Sequence, residues 1–292
     1  MEKYVLKKIK LDLIKKDILS TFEKINNSYF SGFWKNYPGS TTYVLQNIKK
    51  ENIGCLTVIS KKINLNNKQI KTACLSNICI FKKFQSKGLS KILFSEIEKE
   101  LKKKNFDVML LIARKNLDNF YNKFGFLGNC NFSEVEVKNS NNNKSIYKND
   151  IINNKIKKIY NSNYKFNNGY VFRNKNDWIN INYKIKKLKL NLKSINMNKK
   201  LIGYIVFKKN IILECFFDVD RNFSFFYKCL KMLFDKTFFI KCPSTNLENL
   251  ISTYDQVLLK KRYILNGGHM IKSLKDKSIY DHKYDIKFLD EF

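Results

Sequence analysis

The sequence predicts a mixed α/β fold, with mixed sheets, built as two consecutive domains. Strand-length apolar segments alternate with amphipathic helical segments in both halves of the 292-residue chain. Hydrophobic residues make up 44% of it and aromatic residues 14%, which is enough for a sizeable core and argues against wholesale disorder. The Asn-rich stretch 139–143 is the most linker-like segment. We therefore place the boundary near residue 150, giving predicted domains 1–150 and 151–292.

The first domain is predicted to have a β-β-β-α-β-α core after an initial strand and helix. Helix 89–101 illustrates the reasoning, because Ile92, Leu93, Ile97 and Leu101 share one face. A run of apolar residues at 108–113 has the length of a buried strand. The predicted elements are strand 3–9, helix 12–26, an aromatic turn segment 31–39, strands 41–48 and 53–61, a polar hairpin tip 63–68, strand 70–81, helix 89–101, strand 106–113 and helix 117–123.

The second domain is predicted to repeat the element order of the first, although no sequence repeat is visible. Its apolar segments again alternate between strand and helix periodicity. The predicted elements are helix 151–160, strands 183–192, 201–208 and 211–218, helix 223–235, strand 238–241, helix 247–258 and a closing strand 270–274.

The chain is strongly basic, with 56 Lys and Arg against 25 Asp and Glu and a formal net charge of +31. Such a field attracts anions, which include nucleic acids, anionic metabolites and nucleotide cofactors. However, Lys, Asn and Ile are abundant throughout the chain, and the lysines are dispersed rather than clustered. A compositional bias of the whole genome explains that pattern better, so nucleic-acid binding is only an alternative.

The cysteines and the N-terminus predict a soluble cytoplasmic protein. The seven cysteines are scattered without a C-x-x-C pair, which argues against a disulfide framework and against a metal site and suits a reducing compartment. The first eight residues carry charges where a signal peptide needs apolar residues. No apolar run approaches the ~18 residues of a membrane span, so we expect no membrane partner.

The segment 75–93 carries the clearest chemical pattern. An apolar strand runs into a short basic loop that contains Gly88, and a helix begins at once. The first turn of a helix has backbone N–H groups without partners, and its dipole favours negative charge. A glycine there lets a phosphate approach the main chain. With Lys82, Lys83, Lys87 and Lys91 nearby, the pattern predicts a site for a pyrophosphate.

This loop resembles the signature loop of the GNAT superfamily, Arg/Gln-x-x-Gly-x-Gly/Ala. Gln85 occupies its first position, Gly88 its central glycine and Ser90 its last small position. Ser86 and Ser90 depart from the commoner Gly or Ala but are also small. A Walker-type loop is excluded because the Gly-Lys-Ser/Thr ending is absent, and a dinucleotide fingerprint fails for lack of its three glycines.

A second motif follows the next predicted strand. Residues 120–126 read Phe-Tyr-Asn-Lys-Phe-Gly-Phe and look like the GNAT motif that ends Phe-Tyr-x-Lys-x-Gly-Phe. The two motifs occur in the family's order, each on the expected kind of element, and together they indicate the resemblance more strongly than either does alone. The resemblance covers roughly residues 1–150, and its specific part is 75–126.

The resemblance implies an N-acetyltransferase in which an amine attacks the thioester of acetyl-CoA directly. It places Tyr121 at the family's general acid, where a phenol of pKa about 10 can protonate a departing thiolate. The general base is left open between Glu134 and Glu136, acting through water. His269 and His282 are far from the motif in sequence, which excludes a nucleophilic triad in the first half. The expected cofactor-binding residues are Ile78, Cys79, Ile80, Gln85, Ser86, Lys87, Gly88, Leu89, Ser90, Lys91 and Asn116.

The second half resembles the degenerate second GNAT domain of tandem acetyltransferases, the enhanced-intracellular-survival type being the nearest. The matching segments are 169–173 with Trp178, 203–206 and 267–272, and the third domain of that type is expected to be lacking. The resemblance implies that this half is non-catalytic and helps to form one side of the acceptor pocket. A GNAT pseudoenzyme that binds coenzyme A without turnover is a further alternative, and the acceptor amine cannot be read from these residues.

Overall fold

The computed structural model describes residues 3–22, 39–113, 117–128, 132–139, 150–164, 168–218, 223–234, 236–241, 245–254, 258–262 and 269–275. Most of the predicted aromatic segment 31–39 and of the linker-like stretch lies outside the described residues, as does Asn116. Within the described residues, no helix is long and apolar enough to cross a membrane.

The first sheet has seven strands in the order β1-β2-β3-β4-β5-β13-β6. All neighbouring strands are antiparallel except β4 and β5, which are parallel and joined through the helix α2. Its elements are β1 Val5–Ile9, α1 Lys15–Phe22, β2 Ser40–Gln46, β3 Asn52–Leu65, β4 Lys68–Ile80, α2 Leu89–Lys103, β5 Val108–Ile112, α3 Asp118–Asn122, β6 Leu127–Gly128 and β13 His269–Ser273.

The two faces of this sheet carry different helices. Successive side chains of a strand point to opposite faces, so Tyr43 and Leu45 pack with α2 while Val44 packs with α1. The apolar face of α2, which includes Leu93 and Ile97, is fully buried. The α2 face therefore holds the main core of the first half.

The second sheet has six strands in the order β12-β7-β11-β10-β9-β8. Its only parallel pair among the described strands is β10 with β11, again joined through a helix. Its elements are β7 Phe132–Val137, α4 Asn154–Tyr164, α5 Lys175–Lys187, β8 Asn191–Met197, β9 Lys200–Lys208, β10 Ile211–Phe217, α6 Phe223–Leu233, β11 Phe238–Lys241, α7 Thr245–Tyr254 and β12 Leu258–Arg262.

The first sheet from β2 onward and the second sheet from β8 onward share one strand arrangement, in which each includes one strand from the other half. Strand β1 is the additional seventh strand of the first sheet. Strand β13, near the end of the described chain, inserts between β5 and β6 of the first sheet. Strand β7, which precedes residue 150, inserts between β11 and β12 of the second sheet. The predicted fold class is confirmed, since both halves form mixed sheets with helices packed on them. The predicted boundary at residue 150 stays a prediction, and one strand from each side of it crosses to the other sheet.

Several predicted elements differ from the structure. The predicted helix 247–258 ends at Tyr254, and Leu258 begins β12, a strand that was not predicted, as β6 and β7 were not. The segment predicted as strand 183–192 is the end of α5 followed by β8. A capping box begins α5, in which Asn174 accepts from the backbone N–H of Asp177 and the Asp177 carboxylate accepts from that of Asn174. The predicted polar tip 63–68 is mostly strand, since β3 runs to Leu65 and Ile63 is fully buried.

The long β3–β4 hairpin is held by the second half. Ile63 forms a bridge with Val171, and the backbone N–H of Asn64 donates to the carbonyl of Tyr170 over 2.8 Å. Lys61 Nζ lies 2.6 Å from Asp177 Oδ1, and both side chains are buried. The second half therefore covers the end of β3, from Lys61 to Leu65, whereas Asn66 and Asn67 at the tip are exposed.

Candidate active site

Strands β4 and β5 part after a short parallel ladder. Their pairing runs from Thr72 with Val108 to Leu75 with Leu111 and then ends, although β4 continues to Ile80. Just beyond this point Asn77 has φ of 53°, and the β3–β4 register shifts by one residue. An extra residue on one strand bends that strand. The bulge thus opens a wedge between β4 and β5.

The edge of β4 that borders this wedge offers backbone groups for hydrogen bonding. The N–H of Phe81 donates to the carbonyl of Ile53 on β3 over 2.9 Å. Because backbone groups of alternate residues point to opposite sides of a strand, those of Cys79 face β3, whereas those of Ile78 and Ile80 face the wedge. The Ile80 carbonyl accepts a hydrogen bond of 3.0 Å from Gln85 Nε2, which ties the loop to this edge.

The loop between β4 and α2 is open where the sequence predicts phosphate binding. Ser86 has φ of 63°, and Gly88, the residue before α2, has φ of 69°. A Cβ built on Gly88 would meet no atom within 4 Å, so the space beside it is free. Within the described residues the backbone N–H groups of Ser86, Lys87 and Gly88 make no hydrogen bond. The turn therefore presents unsatisfied amides to an open surface.

The lysines of the loop differ in what they contact. Lys83 pairs with Glu51 over 2.7 Å and lowers the pKa of that carboxyl group. Lys87 and Lys91 are exposed and flank the open turn. Leu89 is buried in the core and anchors the first turn of α2, and Ser90 beside it is half-buried. Positive charge and open amides thus occur together.

Tyr121 lies in the core on the α2 face. Its ring is 8% exposed and meets Phe94 of α2 edge-on, with centroids 6.2 Å apart. The same core cluster includes Leu89 and, at its margin, Ile78 and Ile80. The fold therefore brings Tyr121, the start of α2 and the free edge of β4 onto one face of the sheet. The predicted Cys79 lies on the opposite face, under α1.

His269 is a residue that sequence reasoning missed. Pairing of β13 with β5 places it opposite Ile112, the last residue of β5, one position beyond the end of the β4–β5 ladder. It is fully buried, and burial lowers its pKa to about 4, so the imidazole is neutral near pH 7. Met270 packs on the α2 face, so His269 points to the other one. No local signal could have found it, because its position depends on the strand exchange.

The two glutamates considered as bases belong to the other sheet. Glu134 and Glu136 lie on β7, where they pair with Lys241 and Phe239 of β11. The strand that carries them is thus part of the six-stranded sheet rather than of the wedge between β4 and β5. Among the described residues, the α2 face beside the wedge contains a candidate acid, Tyr121, whereas the neutral imidazole of His269 lies beyond β5 on the other face.

Comparisons with known proteins agree with this geometry. Residues 15–139 match the family model of the acetyltransferase (GNAT) domain. A structure from Enterococcus faecalis, described as a probable N-acyltransferase, is similar with a TM-score of 0.70 at 14% identity, over 97% of this chain and 75% of that one. Eis1 from Mycobacterium abscessus is similar with a TM-score of 0.62 at 11% identity, over 93% of this chain and 74% of that one.

A third similar structure is a GCN5-related N-acetyltransferase from Anabaena variabilis. Its TM-score is 0.69 at 12% identity, over 94% of this chain and 73% of that one. At these identities the likeness establishes the fold. The sequence itself matches no curated protein.

Proposed function

We propose that this chain, whose residues 15–139 form a GNAT acetyltransferase domain, transfers an acetyl group from coenzyme A to a primary amine. One observation carries the proposal. The turn at Gly88 opens α2 with free amides and free space, directly beside the wedge where β4 leaves β5. That arrangement suits a long donor with a diphosphate at one end and a thioester at the other.

Several groups of the chain fit such a donor. The amides of residues 86–88 and the start of the α2 dipole would hold the diphosphate, and Lys87 and Lys91 would add charge. The backbone groups of Ile78 and Ile80 would bind the pantetheine arm as a strand binds at a sheet edge. Cys79, which the sequence predicts to bind the cofactor, points its backbone groups toward β3 and its side chain toward α1. It therefore has no group at the edge of β4 that would bind the pantetheine arm.

The donor supplies an activated thioester, and the chain supplies orientation and a proton. In the proposed reaction the neutral amine nitrogen bonds to the carbonyl carbon as the C–S bond breaks. The hydroxyl of Tyr121 would give its proton to the departing sulfur, and its phenolate would regain a proton from the amine nitrogen, directly or through solvent. Half-buried apolar side chains, including Ile78, Ile80 and Phe124, line this face and would limit water at the reacting carbon.

Donor binding is tested by thermal unfolding with acetyl-CoA. A ligand that binds only the folded chain raises its stability, by about 2.7 kcal/mol at a hundredfold excess over Kd. We expect the double variant Lys87→Ala/Lys91→Ala to lose most of this shift. The matched double variant Lys99→Ala/Lys103→Ala, on later turns of α2, should keep it. No shift in the wild type, or equal losses in both variants, would contradict the proposal.

The acid role is tested with Tyr121→Phe. Loss of a general acid lowers turnover by about a hundredfold or more, while the retained ring should leave acetyl-CoA affinity unchanged. Thiol release is followed with a panel of primary amines, which also identifies the acceptor. Unchanged turnover removes Tyr121 from the role. Donor binding by the wild type without turnover on any amine would favour a coenzyme-A-binding pseudoenzyme.

The remaining assignments are part of the same proposal. We place the protein in the cytoplasm, with acetyl-CoA and an amine as its partners and residues 151–292 as a non-catalytic domain. Nucleic-acid binding, the alternative raised by the +31 charge, predicts an affinity that falls steeply with salt. Salt-dependent retention of DNA by a protein that shows no acetyl-CoA shift would favour that alternative.

A further inference from the structure

Two cysteines face each other across β3 and β4, beside the bulge that opens the wedge. Cys55 and Cys79 are register partners, and their Sγ atoms lie 3.6 Å apart. Cys55 is fully buried and Cys79 is 8% exposed. Apolar residues of the segment 11–18, including Ile14 and Ile18, cover both thiols. The pair is therefore enclosed under α1, on the sheet face opposite α2.

We propose that Cys55 and Cys79 form a modification site at which a peroxide creates a reversible disulfide between β3 and β4, which weakens donor binding at the edge of β4. The effect on donor binding rests on the proposed function, whereas the formation of the disulfide does not. The site lies outside the phosphate-binding turn and Tyr121 and uses neither.

The backbone geometry allows the bond. Opposed residues of antiparallel strands have Cα atoms about 4.5–5.5 Å apart, inside the ~4.4–6.8 Å range of disulfides. The sulfur atoms must approach from 3.6 Å to about 2.04 Å. Cys55 Sγ also donates to the carbonyl of Asn77 over 3.5 Å, a contact that oxidation removes. Closing the bond thus releases the Asn77 carbonyl at the bulge and changes the support of β4 at the residues next to Ile78 and Ile80.

The order of attack follows from the surroundings of the two thiols. The hydrogen bond with Cys79 and burial raise the pKa of Cys55 well above its ordinary value, which disfavours its thiolate. Cys79 retains some exposed surface and is the first nucleophile. A small oxidant is required because α1 covers the pair.

The chemistry balances with hydrogen peroxide as the oxidant. The Cys79 thiolate attacks one peroxide oxygen, the O–O bond breaks, and sulfenic acid and hydroxide form. Cys55 then attacks the Cys79 sulfur, the S–S bond forms, and the S–O bond breaks with loss of water. The hydroxide takes up the proton that Cys79 released. In sum, two thiols lose two electrons and two protons, and the peroxide is reduced to two waters.

The modification is tested on the full chain with hydrogen peroxide, followed by non-reducing peptide mass mapping. We expect a peptide linked through Cys55 and Cys79 that disappears on treatment with dithiothreitol. Cys79→Ala should prevent it, whereas Cys74→Ala, a buried cysteine of β4 opposite Ile59, should not. Cys55→Ala serves as a second variant, since either alanine replaces a small buried side chain. Sulfinic acid without the linked peptide, a different pairing, or no oxidation would overturn the site.

The effect on the donor is measured by acetyl-CoA titration of reduced and oxidised protein. Loss of about one backbone hydrogen bond predicts a roughly tenfold higher Kd after oxidation, restored by dithiothreitol. Equal affinities of the two forms would overturn the link to β4. Absence of binding by the reduced protein would instead defeat the proposed function, while the mass mapping still decides the modification site.

Discussion

In each half of the chain two parallel strands separate, and the helix that joins them begins differently in the two halves. In the first, β4 leaves β5 after four register pairs, and an open turn at Gly88 begins the following helix. In the second, β10 leaves β11 after two pairs, and α6 begins with the buried Phe223. The sequence 217–223 there has no glycine. The same strand arrangement therefore occurs with an open turn before α2 and with a buried aromatic residue at the start of α6.

Aromatic side chains pack the start of α6 onto the second sheet. Phe226 stacks on Phe217 with centroids 5.2 Å apart, and Phe223 stacks on Tyr227 at 5.7 Å. A Cβ on Gly203 of β9 would overlap the Phe226 ring, so the helix lies directly on the sheet. In the first half, a Cβ built on Gly88, the residue before α2, would meet no atom within 4 Å. The two helix starts therefore differ in packing although the strand arrangement is shared.

Polar groups of the second half are used for structure. The Arg173 guanidinium is buried, bonds both carboxylate oxygens of Glu214 at 3.1 and 2.5 Å, and lies 3.7 Å from the Tyr160 ring centroid. Tyr204 donates to the same carboxylate over 2.7 Å, and burial raises its pKa well above the ordinary value. A buried, fully paired network of this kind supports a structural role for the second half.

The comparison is tested most strongly by Phe226→Ala. Removing this buried ring should lower the free energy of unfolding by about 3–5 kcal/mol, because a cavity replaces the stacked pair. The acetyl-CoA shift of the folded protein should persist, since the ring is remote from the wedge between β4 and β5. Phe225→Ala, on the exposed side of the same helix, is the control and should cost far less. Chemical denaturation measures both, and loss of the acetyl-CoA shift in Phe226→Ala would mean that the start of α6 takes part in binding.

A fall in pH should lower the free energy of unfolding, because His269 gains a proton more readily in the unfolded chain. The pKa of this residue is about 4 in the folded chain against an ordinary 6.5, so between these values only the unfolded chain gains the proton. The free energy of unfolding should therefore decline from pH 6.5 to pH 4, by up to about 3 kcal/mol. His269→Gln should lack this component when the two denaturation profiles are subtracted. Parallel profiles would rule out a buried neutral imidazole.

Two glycines give the smallest and most selective effects. Gly203→Ala overpacks the contact between β9 and Phe226 and should cost about 1–3 kcal/mol while leaving acetyl-CoA binding intact. Gly88→Ala has free space for its Cβ but an unfavourable positive φ, so it should cost about 1–2 kcal/mol. It should also weaken donor binding, because the turn presents its amides in that conformation. Thermal unfolding with and without acetyl-CoA separates the two effects, and equal behaviour of the variants would remove the distinction between the two helix starts.

Much of the fold was predictable because its signals are local. The strand–loop–helix unit around Gly88 and the motif ending at Phe126 each lie within one short segment, and both occupy the predicted elements. The helix α5 was missed because residues 179–186 alternate between apolar and polar side chains, a pattern that is typical of a strand. Its capping residues, Asn174 and Asp177, were the signal that could have identified it.

The sequence by itself determined the mixed α/β fold class and the strand–loop–helix unit at Gly88, since each depends on neighbouring residues. Only the tertiary structure decided that β7 and β13 exchange sheets, that His269 lies beside β5, and that Phe226 packs against Gly203. Pairing within a sheet joins residues that are far apart in the chain, and any strand whose apolar and polar residues alternate suitably can occupy a given position in the sheet. Which strand does so is settled by the packing of the whole molecule.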